Sequence, residues 1–346
     1  MKKISMRDIA KELGLSTTTV SFVINHKSEE MGISAATVKK VNELIKKKGY
    51  KPNNAARVLR TGKSNTIALI VEDISNPFFG NVAKIIELIA NKNGYKVFFS
   101  STEHDTEIAK GLISIMKQSA VDGFIITATN GLEDEILKLK RENIPFVLID
   151  RILKDIDTDF VIINNYQGGY QLTNHLITQG YKKIAFITIV NGMSQMEDRK
   201  LGYQAALKDA SILLTDNYCL EVPMLEKTNE EQIELIRKFL YQNKDVDAIF
   251  FSTNYLGILG IEAIQQNNLT IGKDIAIVSF DDHDLFRLFT PSITVASQPL
   301  HEIGSAAIEI LLKKLNSTVK TTKSVHEILN PEIIIRNSSP KVSKTK

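Results

Sequence analysis

The chain is poor in several things at once, and each absence removes a class of protein. It holds one cysteine, Cys219, in 346 residues, so neither an internal disulfide nor a Cys-rich zinc module is possible. No apolar run approaches the roughly 20 residues a membrane span needs. The opening MKKISMRDIAKE is basic, but no uninterrupted apolar segment follows it, so it does not read as a signal peptide and a cytoplasmic protein is expected. No P-loop and no GxGxxG follows any strand-like run. The adjacent Asp281-Asp282 and the six scattered histidines show no spacing that demands catalysis, so no enzyme, cofactor or metal site is expected.

What is present divides unevenly. Residues 1–63 carry 14 Lys and Arg against 5 Asp and Glu, a net +9, whereas the whole chain is only +3. The remaining residues are therefore about six charges negative. A basic head on an acidic body suits a head that meets a phosphate backbone. A length of 346 residues suggests two or three domains, and 43% hydrophobic content can fill a sizeable core.

The head is organised around Met6 to Asn25. Ile9, Ala10 and Leu13 share a face of one short helix, and Val20, Val23 and Ile24 share a face of the next. Between them Gly14 can take the left-handed backbone that ends a helix, and Ser16 can cap the one that follows. This spacing is that of a helix-turn-helix, whose second helix opens on short hydroxyl side chains suited to a major groove. Base contacts are expected from Ser16, Thr17, Thr18 and Ser21, with Asn25 and His26 nearer the backbone. Phe22 either touches a thymine methyl or packs inside the head. Lys2, Arg7 and Lys51 are expected phosphate partners. A third amphipathic helix, Ala35 to Lys48, points Val38, Val41, Leu44 and Ile45 inward and ends at Gly49.

After Pro52 comes a segment of barely two turns, bounded by Asn53 and Gly62. A helix so short is marginal alone. It is expected to order only when packed on DNA, with Asn53, Ala56 and Arg57 against the duplex and Leu59 wedged into a minor groove. From residue 65 apolar strand-length runs alternate with amphipathic helices. Strands are expected at Thr66–Val71, Lys96–Ser100, Gly123–Thr127 and Pro145–Asp150, and helices near 79–93, 106–119 and 132–142. The pattern restarts with a helix at Tyr166–Gln179 and strands at Ile184–Val190, Ala248–Ser252 and Ala276–Phe280. This is the rhythm of two parallel doubly wound sheets, with a ligand cleft outside the strand carboxyl ends.

The motifs LSTTTVSFVIN, GYKPNNAARVLRTGKSNTIALI and VSFDDHDLFRLFTPSITVASQP together resemble the LacI/GalR family of bacterial transcriptional regulators, over essentially the whole chain to about residue 338. The resemblance implies an N-terminal all-α helix-turn-helix head (1–50) and a hinge helix with linker (51–63). An α/β two-lobed core like the periplasmic sugar-binding proteins would follow (64–338). It implies three crossings between lobes, expected near 163–164, 290–292 and 320–328, giving an N-lobe of 64–163 and 292–322 and a C-lobe of 164–291 and 323–338. Residues 339–346, Ser- and Lys-rich, read as a disordered tail, and no Leu-zipper heptad points beyond a homodimer.

The implied partners are a pseudopalindromic operator and a small sugar-like or sugar-phosphate effector. Effector contacts are expected from Asp73, Phe78, Phe79, Asp150, Arg151, Arg199, Tyr255 and Asp281. Phe78 and Phe79 either stack on the ligand or staple the next helix. Asp150 and Arg151 either face the cleft or pair with each other. Arg199 matches the family's R-x-x-G-aromatic motif, in which the guanidinium makes bidentate bonds to ligand oxygens. Two positions depart from the family pattern: Tyr255 stands where an Asp is usual, and Asn164 where another is common. Loss of the first carboxylate leads to the expectation of an anionic effector, such as a sugar phosphate or uronate, or of one that stacks on Tyr255. Three other classes fit less well. A periplasmic binding protein would lack the head, an enzyme would show a catalytic constellation, and an architectural DNA binder would not need some 280 residues of two-lobed core.

Overall fold

The computed structural model describes residues 4–25, 27–50, 62–153, 155–190, 193–223, 226–317 and 323–342. The chain divides into two compact units, residues 1–64 and 65–346. The first holds three helices, α1 (Met6–Leu13), α2 (Thr17–Ile24) and α3 (Ala35–Lys48). Each begins on a serine whose hydroxyl accepts a backbone N–H of the first turn: Ser5 from Asp8, Ser16 from Thr19 and Ser34 from Thr37. Gly14 ends α1 at φ 64°, which turns the chain tightly into α2. Ile9, Ala10, Val20, Val23, Val41 and Leu44 form the buried core of this unit, with Leu13, Ile24, Val38 and Ile45 packed around them.

The second unit contains two six-stranded sheets. The first takes β1 (Thr66–Val71), β2 (Lys96–Ser101), β3 (Gly123–Ile126), β4 (Phe146–Ile149) and β5 (Phe160–Ile163), interleaved with α4 (Pro77–Lys92), α5 (Thr106–Gln118) and α6 (Glu133–Arg141). The chain then enters α7 (Asn165–Gln179) and builds the second sheet. Here β6 (Ile184–Ile189), β7 (Cys219–Val222), β8 (Ala248–Phe251), β9 (Ala276–Phe280) and β10 (Thr294–Ser297) alternate with α8 (Ser194–Asp209), α9 (Asn229–Gln242), α10 (Asn254–Gln266) and the short α11 (Asp284–Leu288). A long α12 (Leu300–Asn316) and two short strands, β11 (His326–Leu329) and β12 (Glu332–Ile334), complete the unit. The sheet orders are β11-β5-β4-β3-β1-β2 and β12-β10-β9-β8-β6-β7, every neighbouring pair parallel except β10 with β12. In each sheet the order reverses at the first strand of the lobe, so each has its switch point beside β1 or β6. The inner strands β1, β3, β4, β6, β8 and β9 are buried almost throughout, as sheets covered by helices on both faces require, whereas β2, β7, β11 and β12 at the edges are partly exposed.

Two expectations need correction. The crossings after the first fall later than the sequence suggests. β10 pairs with β9, Thr294 opposite Val278, so the C-lobe keeps the chain through Ser297. α12 then covers the first sheet, and β11 extends it beside β5. The third crossing is Asn330-Pro331, between β11 and β12. The break at Thr290-Ser292 is a turn inside the C-lobe, and the ladder rather than the Pro decides which sheet takes the next strand. The tail is the second correction as far as Val342, residues 343–346 lying outside the described residues. Ser338 and Ser339 are buried, Ser338 Oγ donating to the Ile277 carbonyl at 2.6 Å and accepting from the Thr294 amide at 2.9 Å. Ser339 Oγ lies 2.8 Å from His175 Nε2, Tyr181 donates to the Pro340 carbonyl at 2.7 Å, and the Val342 amide reaches the Gln179 carbonyl at 2.8 Å. The serines serve as hydrogen-bond partners for buried polar groups, which composition alone does not reveal.

α7 and α8 cross at unusually short range, and two glycines permit it. A Cβ on Gly202 would lie 2.1 Å from the Tyr166 carbonyl oxygen, and one on Gly169 would lie 2.4 Å from that of Arg199. Close approach sets Arg199 beside the first turn of α7.

Candidate functional site

At the head, Ser16 does not present a free hydroxyl. Its Oγ accepts the Thr19 amide at 3.0 Å and lies 2.9 Å from Thr19 Oγ1, so it is committed to starting α2. Thr17 and Thr18 are exposed in the first turn and Ser21 is half-buried. Asn25 folds back, its Nδ2 donating to the Ser21 carbonyl at 2.7 Å and to Ser21 Oγ at 3.2 Å. Phe22 is half-buried and is not part of the apolar cluster of the head. Arg7 is exposed on α1. The expected contacts from His26, Lys51, Asn53, Ala56, Arg57 and Leu59, with the hinge helix and Lys2, lie outside the described residues. Among the described residues no group of His, Cys, Asp and Glu is arranged to hold a metal ion.

The carboxyl ends of the two sheets meet across a cleft that the first crossing spans. Glu72 follows β1, Asp150 and Arg151 follow β4, Thr253 follows β8, Asp281 follows β9 and Gln298 follows β10; all six line it. Phe78, Phe79, Tyr255 and Arg199 line it as well, with Gln195, Met193 and Met196 around the start of α8. Seven of the eight expected ligand contacts are thus brought together. Asp73 is the exception: its carboxylate accepts the Ser75 amide at 2.7 Å and the Ser75 hydroxyl at 2.8 Å, closing a turn. The neighbouring Glu72, buried at the strand end, takes the place expected of it. Asn164 is an N-cap, accepting the Gln167 amide at 3.0 Å, and does not line the cavity.

Each lobe neutralises its own arginine. In the N-lobe Arg151 pairs with Glu72, and its Nε lies 3.3 Å from Asp150 Oδ2. Burial pulls the guanidinium down to about 10. Glu72 also receives His104, 3.1 Å away, whose imidazole burial holds below its ordinary range. In the C-lobe Arg199 donates from Nε to Asn165 Oδ1 at 2.9 Å and from Nη1 to the Ser252 carbonyl at 2.6 Å. The same Nη1 is 3.5 Å from Asp281 Oδ2, and the guanidinium stacks 3.6 Å from the centre of the Phe280 ring. The guanidinium expected to grip ligand oxygens is mostly spent inside the protein.

Asp150 and Asp281 occupy corresponding places in the two lobes, each just past its fourth strand at φ 67°, a left-handed geometry that Asp tolerates better than most residues. Burial raises the Asp150 carboxyl to about 7; Arg199 lowers it and Asp281 raises it. Tyr255 is pushed up to about 12, chiefly by burial. Gln298 donates to Asp281 Oδ1 at 2.5 Å. Phe78 and Phe79 meet edge to face at 4.8 Å and belong to the N-lobe core, so they brace α4 and wall the cleft together. The open space between the lobes is only about 30 Å³, room for a water molecule or two.

Glu72, Gln195, Thr253 and Gln298 were not anticipated. Glu72 alone left a signal, a charged residue directly after the apolar run TIALIV.

Residues 64–335 match the model of periplasmic binding proteins and the sugar binding domain of the LacI family, and residues 5–53 that of bacterial regulatory proteins of the lacI family. The HTH-type transcriptional regulator RegA of Clostridium saccharobutylicum is 34% identical over 337 residues, covering 97% of this chain and 99% of the relative. The HTH-type transcriptional repressor PurR of Aliivibrio fischeri is 31% identical, covering 96% and 98%. The lac repressor dimer bound to operator and the anti-inducer ONPF superposes with a TM-score of 0.83 at 21% identity, covering 98% of this chain and all of that one. A helix-turn-helix head joined to a two-lobed α/β core, matched from end to end, places this chain in the LacI family of DNA-binding transcriptional regulators.

Proposed function

We propose that this protein is a cytoplasmic homodimeric repressor of carbohydrate-metabolism genes, whose operator affinity is set by a small sugar-like or sugar-phosphate effector held between the core lobes. The observation that carries the reading is the polar cleft between the two strand ends, lined from both lobes, in a chain that also carries a helix-turn-helix head. The family description of this core as a sugar-binding domain supports the ligand class.

Two heads related by dimer symmetry read a pseudopalindromic operator. Thr17, Thr18 and Ser21 face bases, Asn25 and His26 sit nearer the backbone, and Phe22 meets a thymine methyl. Arg7 and Lys51 meet phosphates, and the hinge contributes Asn53, Ala56, Arg57 and the wedge Leu59. An effector bound better by one lobe arrangement shifts the population toward it. The heads respond because operator binding also prefers one arrangement, with coupling of typically about 1–3 kcal/mol.

The test is fluorescence anisotropy of labelled DNA from the protein's own upstream region, titrated with and without a panel of sugars and sugar phosphates. A specific shift that one compound strengthens or weakens supports the reading and shows whether that compound is corepressor or inducer. Specific DNA binding that no compound alters would refute effector control.

A further inference from the structure

We infer that the cleft binds a proton as well: the Asp150 carboxyl takes one up when the two lobes enclose it, so that acidity acts on the regulator as a second effector. The inference rests on the reading that lobe arrangement sets operator affinity, and it holds whatever sugar the cleft accepts.

The geometry separates two carboxylates that hold matching places in the lobes. Asp281 receives Gln298 Nε2 at 2.5 Å and has Arg199 Nη1 at 3.5 Å. Asp150 is more enclosed, its side chain 10% exposed, and the donors that reach its Oδ2 stand further off: Arg151 Nε at 3.3 Å and Gln195 Nε2 at 3.5 Å. Charge-assisted bonds to a carboxylate are ordinarily about 2.7–2.9 Å long. Arg151 is moreover paired with Glu72, and the space beside Asp150 holds about 30 Å³. An ionised Asp150 is therefore poorly solvated by protein and by water alike, and burial raises its carboxyl to about 7.

Among the described residues, the charged and titratable groups around it come from both lobes. Its own lobe supplies Arg151 and, behind it, Glu72 with His104. The other lobe supplies Arg199, Asp281 and Tyr255, with Gln195 as the neutral donor. A change of lobe arrangement thus changes what surrounds Asp150. An arrangement that admits water returns the carboxyl toward the ordinary carboxylate range, and the proton leaves. By linkage, the arrangement that encloses Asp150 gains as pH falls through about 7 and stops gaining in the ordinary carboxylate range near 4. Between pH 8 and 6 that gain is about tenfold, which is the ceiling for any change in operator affinity.

The test is fluorescence anisotropy of the full-length protein on labelled DNA from its own upstream region, with no sugar added, at pH 6, 7 and 8 and constant ionic strength. Wild-type affinity should move by up to about tenfold, and its direction tells which arrangement the operator prefers. Asp150→Asn, neutral at every pH, should hold the wild-type pH 6 affinity throughout. Asp281→Asn removes a repulsion from Asp150 and should move the change to lower pH, which keeps the test decisive if thermal melting shows that Asp150→Asn does not fold. A wild-type affinity that ignores pH, or variant profiles that run parallel to the wild type, would overturn the inference and leave the operator reading standing. Absence of specific DNA binding at every pH would overturn both.

Discussion

Replacing Arg199 by methionine should destabilise the core before any ligand is considered. The side chain is 2% exposed and its partners are buried with it: Asn165 Oδ1 at 2.9 Å, the Ser252 carbonyl at 2.6 Å and Asp281 at 3.5 Å. Methionine keeps much of the volume and some contact with Phe280. It cannot donate, so Asn165 and Ser252 each lose a buried hydrogen bond, at about 1–3 kcal/mol per stranded group. Asp281 loses its cation but keeps Gln298. Removing one partner of a buried ion pair costs about 3–5 kcal/mol, and that is the expected loss here. Adding Asp281→Asn to the Arg199→Met variant removes the stranded charge and should return about 1–3 kcal/mol, a coupling that a double-mutant cycle reads directly. Urea unfolding followed by tyrosine fluorescence suits the purpose, since eight of the nine tyrosines lie beyond residue 64 and report on the core rather than the head. A loss under about 1 kcal/mol, or no recovery in the double variant, would show that the guanidinium is not an internal strut.

Three further outcomes can be checked alongside. The native Asp150 carboxyl keeps its proton to about pH 7 while the unfolded chain releases it near 4, so stability should fall as pH rises across that window and level off above it; the ceiling is about 4 kcal/mol, and Asp150→Asn should flatten the profile, whereas parallel profiles would refute the assignment. Gly202→Ala should cost about 3 kcal/mol by forcing α8 away from the Tyr166 carbonyl, while Gly111→Ala, whose Cβ meets nothing within 4 Å on α5, should be neutral or stabilising in the same melts. In the head, Ser16→Ala should lower thermal stability by about 1 kcal/mol through loss of the cap, whereas Thr18→Ala should leave melting unchanged and weaken operator binding in a gel-shift titration.

The parts legible in the sequence are those with local causes. Gly14 and Ser16 punctuate the helix-turn-helix, and the apolar spacing of Ile9, Val20 and Val41 names its core, because caps and helical periodicity act within a few residues. The βαβ rhythm is legible for the same reason, and Arg199 stood out through its motif, whose Gly202 proves to be the point where α7 crosses. What escaped depends on distant pairing. Which sheet takes TVAS is decided by Thr294 lying opposite Val278, and an early placement of that crossing hid Gln298, which sits on the true one. Asp73 and Glu72 are adjacent carboxylates after one strand. Only the direction of the chain leaving β1 decides that one closes a turn and the other enters the cleft. Tyr255 read alone suggested a pocket short of acid, because Glu72 sits far away in sequence.

The way charge is shared between the lobes bears on how the cleft can act as a switch. Arg151 is neutralised by Glu72 with Asp150 beside it, all three in the N-lobe, and Arg199 pairs with Asp281 and donates to Asn165 and Ser252, all in the C-lobe. Parting the lobes therefore breaks neither of these pairings. Across the cleft Asp150 has the long 3.5 Å approach of Gln195, the attraction of Arg199 and the weaker repulsion of Asp281. Had Arg199 bridged to Asp150 instead, opening would break a buried pair and cost several kcal/mol. With each half-site self-sufficient, the proposed switch does not have to break one of these ion pairs. A ligand that binds one lobe arrangement some tens of times better than the other then shifts the population by that factor, which is the range typical of allosteric coupling.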